Sequence, residues 1–216
     1  MSVDISVIVT SYNKQQYLSR AIRSCLKQSI DPKKIEIIVV DDASTDNSKL
    51  VIEGMGPKVV PVFLTQNVGV AEASNIGIRS ALGTYILRLD ADDYLAEHAL
   101  LFLSEILDKN HDVGFVYGDI IKVDINENIL ARVNLDTPEK IFRHGAGIMF
   151  RKSYLEKLGL YDKDFKNAED HELLSRYIKN FNGYHLRLPL YRYSQHETQM
   201  TKDEDERKLW EKKISN

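Results

Sequence analysis

Four short runs of mostly apolar, β-branched residues, "ISVIVT" at 5–10, "IEIIVV" at 35–40, "VVPVFL" at 59–64 and "YILRL" at 85–89, alternate with segments of helical spacing. A continuous apolar run of this length suits a strand covered on both faces. Strands separated by helices pair in parallel, because each helical crossover returns the chain to the same end of the sheet. The alternation therefore predicts an α/β chain, a Rossmann-like, mostly parallel sheet flanked by helices. The first crossover is a helix ending near Leu26, with Leu18, Ala21, Ile22 and Cys25 on one side and Arg20, Arg23 and Lys27 on the other. "SKLVIEGM" reads as a short second helix, and a third runs from about Val70 to Leu82 until Gly83 stops it. Pro61 has no N–H to give a ladder, so its run belongs at a sheet edge or end.

Beyond Asp93 the alternation breaks. An amphipathic helix starting around Leu95 to Glu97 carries Leu100, Leu103, Ile106 and Leu107 on one side, and "VGFVYGDIIKVDINENILARV" reads as two strands joined by a polar turn at Asn126–Asn128. "GAGIMF" follows as a strand, "SYLEKLGLY" as a helix ending at Gly159, and "AEDHELLSRYIKN" as another helix. The expected organisation is a single domain of 216 residues: an alternating first half over 1–93, a mixed second half over 94–201 and a charged tail over 202–216. The tail reads as a solvated helix, with peripheral contact to an anionic membrane as the alternative. A formal charge of −3 gives no global basic field, which argues against nucleic acid as partner. The single cysteine, Cys25, precludes an internal disulfide and reads as a buried thiol. "MSVDISVIV" lacks the pattern of a signal peptide, and no apolar run reaches the ~18 residues of a membrane span. The expected location is cytoplasmic, with the inner face of the membrane as the one place of peripheral contact.

Where the fourth run ends, "ILRLDADDY" places three carboxylates, Asp90, Asp92 and Asp93, in four residues. Two carboxylates about 4 Å apart repel by roughly 4 kcal/mol at an effective dielectric near 20, so the cluster asks for a cation. Ligands of open parallel sheets bind outside the carboxyl ends of the strands. Two more polar clusters fall at such ends: "TSYN", with the hydroxyl of Thr10 and the ring of Tyr12, and "DDAS", with Asp41 and Asp42. Hydroxyls, an aromatic face, acceptors and hard oxygen ligands suited to Mg²⁺ or Mn²⁺ together describe a metal-assisted nucleotide site. Each also has a plain reading, since Tyr12 can simply pack and the aspartates can cap helices or face water. Glycine-rich phosphate loops of dinucleotide binders and P-loop enzymes are absent from the sequence.

The blocks "SVIVTSYNKQQYLSRAIRSCLKQS", "EIIVVDDASTDNS", "NVGVAEASNIGIRSALGTYILRLDADDYL" and "HGAGIMFRKSYLEKLGLYDKDFKNAEDHELLSR" occur in an order and at separations that resemble family 2 glycosyltransferases with the GT-A fold. The resemblance implies a nucleotide-sugar donor, a UDP-sugar by preference, Mn²⁺ or Mg²⁺ under its diphosphate, and inversion at the anomeric carbon. The acceptor it implies is a hydroxyl of a glycan or lipid-linked glycan, as in polysaccharide biosynthesis. By that likeness Thr10, Tyr12 and Asp42 contact the nucleoside, Asp90 and Asp92 form the D-x-D motif, Asp92 or Asp93 holds the metal, and Asp170 is the general base. His196 resembles a late histidine that some relatives place on the metal. Residue by residue, Asp170 reads equally as a helix cap, His196 as a loop histidine, and His144 as lining the acceptor pocket or merely preceding it. The chain departs from the pattern where relatives carry Ala-Arg-Asn: here the residues are Ala73, Ser74 and Asn75, leaving Arg88 or Arg79 as substitutes for the missing cation. Two rival functions remain from the sequence, a nucleotidyltransferase and a noncatalytic nucleotide-sugar-binding module or subunit of a larger assembly. The oligomeric state is not legible from these residues.

Overall fold

The computed structural model describes residues 3–137, 140–141, 145, 147–165 and 168–196. His144 and the tail over 202–216 lie outside the described residues. Strands β1 (Ile5–Ser11), β2 (Ile35–Asp41), β3 (Val60–Phe63) and β4 (Tyr85–Asp90) form a parallel block in the order β3-β2-β1-β4. Every residue of β1 is buried, as a strand with neighbours on both edges and helices on both faces requires. The β3 run is largely exposed, and it occupies the edge that Pro61 demands.

Helix α1 (Gln15–Leu26) buries Leu18, Ala21, Ile22 and Cys25, and burial pushes the Cys25 thiol up to about 12, so it packs as an inert apolar group. Helix α2 spans Ser48–Glu53, and α3 spans Val70–Ser80. The α3 helix stops two residues short of the expected end. The amides that would extend the turn are claimed elsewhere: Leu82 N–H donates to Glu36 Oε1 at 2.5 Å and Gly83 N–H to Ser6 Oγ at 2.8 Å. Gly77 sets how close α3 lies to the sheet. A Cβ there would fall inside van der Waals contact of Ile8 Cγ2 and 3.2 Å from Val40 Cγ2. Gly77→Ala is accordingly expected to destabilise the protein by about 1–3 kcal/mol through overpacking. Urea unfolding checks this, and a variant as stable as the parent would show that α3 can shift freely.

The sheet continues into the second half without a break. Strands β5 (Tyr94–Leu95), β6 (Val113–Val123), β7 (Ile129–Val133), β8 (Ile148–Arg151) and β9 (Asn182–Ser194) extend it to nine strands in the order β3-β2-β1-β4-β8-β6-β9-β5, with β7 paired to β6. Pairing is now mixed: β8 is antiparallel to β4 and β6, while β9 is parallel to β6. Helix α4 (Ala99–Lys109) begins later than its amphipathic pattern suggests, because Leu95 is drawn into β5 and Ala96 N–H donates to Leu190 O at 2.9 Å. The turn before β7 forms as read, with Asp124 Oδ1 accepting from Asn126 N–H at 2.9 Å and Asn128 N–H at 2.8 Å. Helices α5 (Lys152–Leu158) and α6 (Glu169–Ile178) complete the described elements. An aromatic knot packs α6 on the sheet, with Tyr177 set edge-on to Phe150 and Phe115 at centroid distances of 4.9 and 5.6 Å.

Candidate functional site

The carboxyl ends of β1, β2 and β4 open at one rim of the sheet, and long-range hydrogen bonds stitch their loops together. Asn13, held at φ 53°, is the stitch: its Oδ1 accepts from Thr45 N–H at 2.8 Å, and its own N–H donates to Ser44 Oγ at 2.9 Å. Asparagine tolerates the left-handed conformation that this loop needs. Asp46 Oδ2 adds a bond from Gln15 N–H at 3.0 Å. Thr10 is buried at this rim, whereas the Tyr12 ring stays 46% exposed.

Asp41 and Asp42 are both buried. Asp41 turns its carboxylate back into its own loop, where Oδ1 accepts from Ser44 Oγ at 2.5 Å and Oδ2 from Ser44 N–H at 3.2 Å. Asp42 anchors the approach to α3 instead, with Oδ1 accepting from Val68 N–H at 2.7 Å and Oδ2 from Gly69 N–H at 2.9 Å. A carboxylate has about four acceptor positions, so two remain on Asp42 after these bonds.

The acidic cluster separates into three environments. Asp93 points inward and is 2% exposed; its Oδ2 accepts from Tyr191 OH and its Oδ1 from Ser194 N–H, each at 2.8 Å. Burial, then the charges of Asp92 and Asp90, push its carboxyl well above the usual range. Both Asp93 oxygens thus tie the loop to β9, each through one hydrogen bond. Asp92 faces the cleft, and its Oδ2 accepts from Lys14 Nζ at 2.6 Å and faces His196 Nε2 at 3.0 Å. Burial works to raise its carboxyl, but His196 and Lys14 outweigh burial and hold it down at about 2. His196 is stacked on Tyr17 at 4.6 Å, so α1 fixes the imidazole plane. Arg20 braces the same loop by donating from Nη2 to Asp92 O at 2.9 Å and to Ser194 Oγ at 2.6 Å.

Asp90, the third member, lies 3.5 Å from Arg88 Nη2. Arg88 is buried inside β4, where it meets two more carboxylates from the first turn of α6: Glu169 Oε1 at 3.1 Å from Nη1 and Asp170 Oδ2 at 2.6 Å from Nη2. Its stem does not lie on the surface, whereas Arg79 is half-exposed and pairs with Glu72 at 2.5 Å. Ser74, which stands in the place of the missing cation, is fully buried and donates to Val70 O at 2.6 Å.

Asp170 does not cap its helix. The cap position is Ala168, which makes no side-chain capping bond, and the Asp170 carboxylate is turned toward Arg88. Burial pushes Asp170 up to about 8 against the downward pull of Arg88, with Glu169 and Asp90 adding to the rise. A Cβ on Gly145 would lie 2.6 Å from Asp170 Cγ, so the chain before β8 passes directly over this carboxyl. Glu169 Oε2 is buried without a hydrogen-bond partner among the described residues. Sequence reasoning missed the Arg88 hub and Lys14. The signal for Arg88 was legible, because a charge inside a run read as buried on both faces has to be paired.

Among the described residues no group of three or more His, Cys, Asp or Glu side chains is placed to hold a metal ion, so a cation here would need ligands from beyond those residues. Asp92 Oδ2 and His196 Nε2 stand 3.0 Å apart, the spacing of two adjacent ligands on a cation bound at about 2.1 Å in octahedral geometry. An oxygen and an imidazole nitrogen are donors that would suit a divalent cation.

A family model described as "Glycosyl transferase family 2" matches residues 6–159. An uncharacterised glycosyltransferase of Nostoc sp. is 35% identical over 174 residues, which cover 71% of this chain and 52% of that protein. The crystal structure of S. aureus TarS 1–349 in complex with UDP-GlcNAc superposes with a TM-score of 0.80 at 22% identity, over 93% of this chain and 61% of that one. Mannosyltransferase PcManGT from Pyrobaculum calidifontis, in complex with GDP-Man and Mn²⁺, superposes with a TM-score of 0.78 at 20% identity, over all of this chain and 65% of that one. The chain spans about half the length of the first curated relatives it matches, 52% and 54%.

Proposed function

The chain belongs to glycosyl transferase family 2 and has the GT-A fold, and from that premise we propose that it moves a monosaccharide from a UDP-sugar to a hydroxyl of a glycan or lipid-linked acceptor, with inversion and with Mn²⁺ or Mg²⁺. The observation that carries the reading is the meeting, at one rim of the sheet, of an exposed ring, the Asp92–His196 pair and a half-buried carboxyl on a facing helix. Tyr12 stacks on the base, Thr10 lies beneath it, and Asp42 turns a remaining acceptor position to a base N–H. Asp41 shapes that loop through Ser44. Asp90 and Asp92 face the diphosphate, with Asp92 and His196 as the protein's metal ligands. Bound there, a divalent cation supplies Lewis-acid charge against the leaving diphosphate. Asp170 takes the proton of the attacking hydroxyl. Residues 1–93 serve the donor and 94–201 the acceptor. Among the described residues no helix is long and apolar enough to cross a membrane.

Calorimetry with UDP and GDP, each with and without Mn²⁺, tests the donor side. UDP is expected to bind more tightly than GDP and to need the metal, and Asp92→Ala is expected to lose about tenfold or more of that metal-dependent affinity while remaining folded. GDP binding ten times more tightly than UDP would overturn the uridine assignment. Release of UDP rather than pyrophosphate on turnover separates sugar transfer from nucleotidyl transfer.

A further inference from the structure

One oxygen of the D-x-D motif already carries a cation. Lys14 Nζ lies 2.6 Å from Asp92 Oδ2, and their side chains keep 19% and 15% of their exposure, which puts the pair at the cleft wall rather than in the core. The backbone under Lys14 is fixed, since its N–H donates to Ser48 Oγ at 3.2 Å and it immediately precedes α1. Its long stem is the mobile part, and an ammonium with three rotatable donors suits phosphate as well as carboxylate.

A divalent cation about 2.1 Å from the same oxygen would stand within roughly 5 Å of that ammonium, so the two positive charges would repel. Lysine and metal are therefore alternative occupants of Asp92 Oδ2. Displacement by the metal alone would strand the ammonium away from the carboxylate that pairs with it among the described residues. Displacement by a metal–diphosphate complex provides a new anion in the same cleft. We propose that Lys14 is an exchangeable counter-cation: it neutralises Asp92 in the metal-free protein and passes to the diphosphate of the donor when the metal takes Asp92. The inference rests on the donor-site reading above. Its consequence is coupled binding, in which metal and nucleotide each strengthen the other because one lysine has to change partners.

Mn²⁺ binding without nucleotide, followed by the paramagnetic resonance signal of free Mn²⁺, and UDP calorimetry in saturating Mn²⁺ test it on the wild type and on Lys14→Met, Lys14→Gln and Lys14→Arg. With the competitor removed, Lys14→Met and Lys14→Gln are expected to bind Mn²⁺ alone at least fivefold more tightly and UDP with Mn²⁺ about tenfold more weakly. Lys14→Arg, which keeps the charge, is expected to stay near the wild type in the Mn²⁺ arm. Unchanged or weaker Mn²⁺ binding by the neutral variants overturns the exchange, as does full UDP affinity in their Mn²⁺ complexes. A wild type that binds Mn²⁺ but no UDP sinks the donor-site reading instead, and the Mn²⁺ arm then still decides whether lysine and metal compete. Circular dichroism on each variant confirms that comparisons are made between folded proteins.

Discussion

Asp170→Asn is expected to bind UDP and Mn²⁺ as the wild type does and to lose at least ~100-fold in sugar transfer. A positioned base contributes roughly 100- to 10,000-fold, and the amide keeps the size of the carboxylate but has no lone pair basic enough to take the acceptor proton. The position is otherwise forgiving, because the carboxylate does not cap α6 and its main contact is with Arg88. The pH profile supplies a second handle. Burial raises Asp170 to about 8, and a base works only when ionised, so donor kcat/KM is expected to fall as pH is lowered through that region. In Asp170→Asn this acid limb should vanish along with the rate. Near-normal transfer by the variant, measured with UDP affinity on the same preparation, would move the search for the base to Glu169.

Arg88→Met is expected to cost roughly 3–5 kcal/mol of stability at pH 8, the range found when a buried ion group loses one partner. Asp90, Glu169 and Asp170 would then share a largely buried space with no counter-charge among their present contacts. The pH dependence has a definite sign. A carboxyl whose folded pKa lies above its unfolded value contributes stability that is complete below the unfolded value, about 4, and is lost as pH rises through the folded value. In the wild type that loss runs up to about 8 for Asp170. Removing Arg88 removes the pull that lowers it, so the variant should recover stability on going from pH 8 to 5.5 more steeply than the wild type does. Urea unfolding at the two pH values measures both effects. A variant as stable as the parent at pH 8 would mean that the three carboxylates are satisfied without the guanidinium.

Much of the first half was legible because its signals are local. Continuous apolar runs gave β1, β2 and β4, helical spacing gave α1 and α3, and Pro61 placed β3 at an edge. The strand-end rule brought Thr10, Tyr12, Asp41, Asp42 and Asp90 to one rim. The long strand β9 escaped notice because "NGYHLRLPLYRYS" carries a glycine, a proline and interspersed polar residues, and its order comes from pairing with β6 about 70 positions earlier. The inward turn of Asp93 was hidden for the same reason: its partners are Tyr191 and Ser194. Lys14 sits 78 positions from Asp92, beyond the reach of any local pattern.

That late strand also imposes an order of assembly on the catalytic rim. The acidic loop after β4 is synthesised early, yet Asp93 meets Ser194 only after 101 further residues, and Arg20 waits 174 residues for the same serine. A chain growing from its N-terminus can therefore pair β1, β2, β3 and β4, and tie Asp92 to Lys14 and Arg20, while Asp93 still lacks its partners in β9, since closing contacts so distant in sequence is slow and comes late. During synthesis the first four strands should resist proteolysis before the rim is complete, with nucleotide binding strengthening once β9 and His196 have docked. Interrupting translation just before that point should leave a folded intermediate with weakened nucleotide binding.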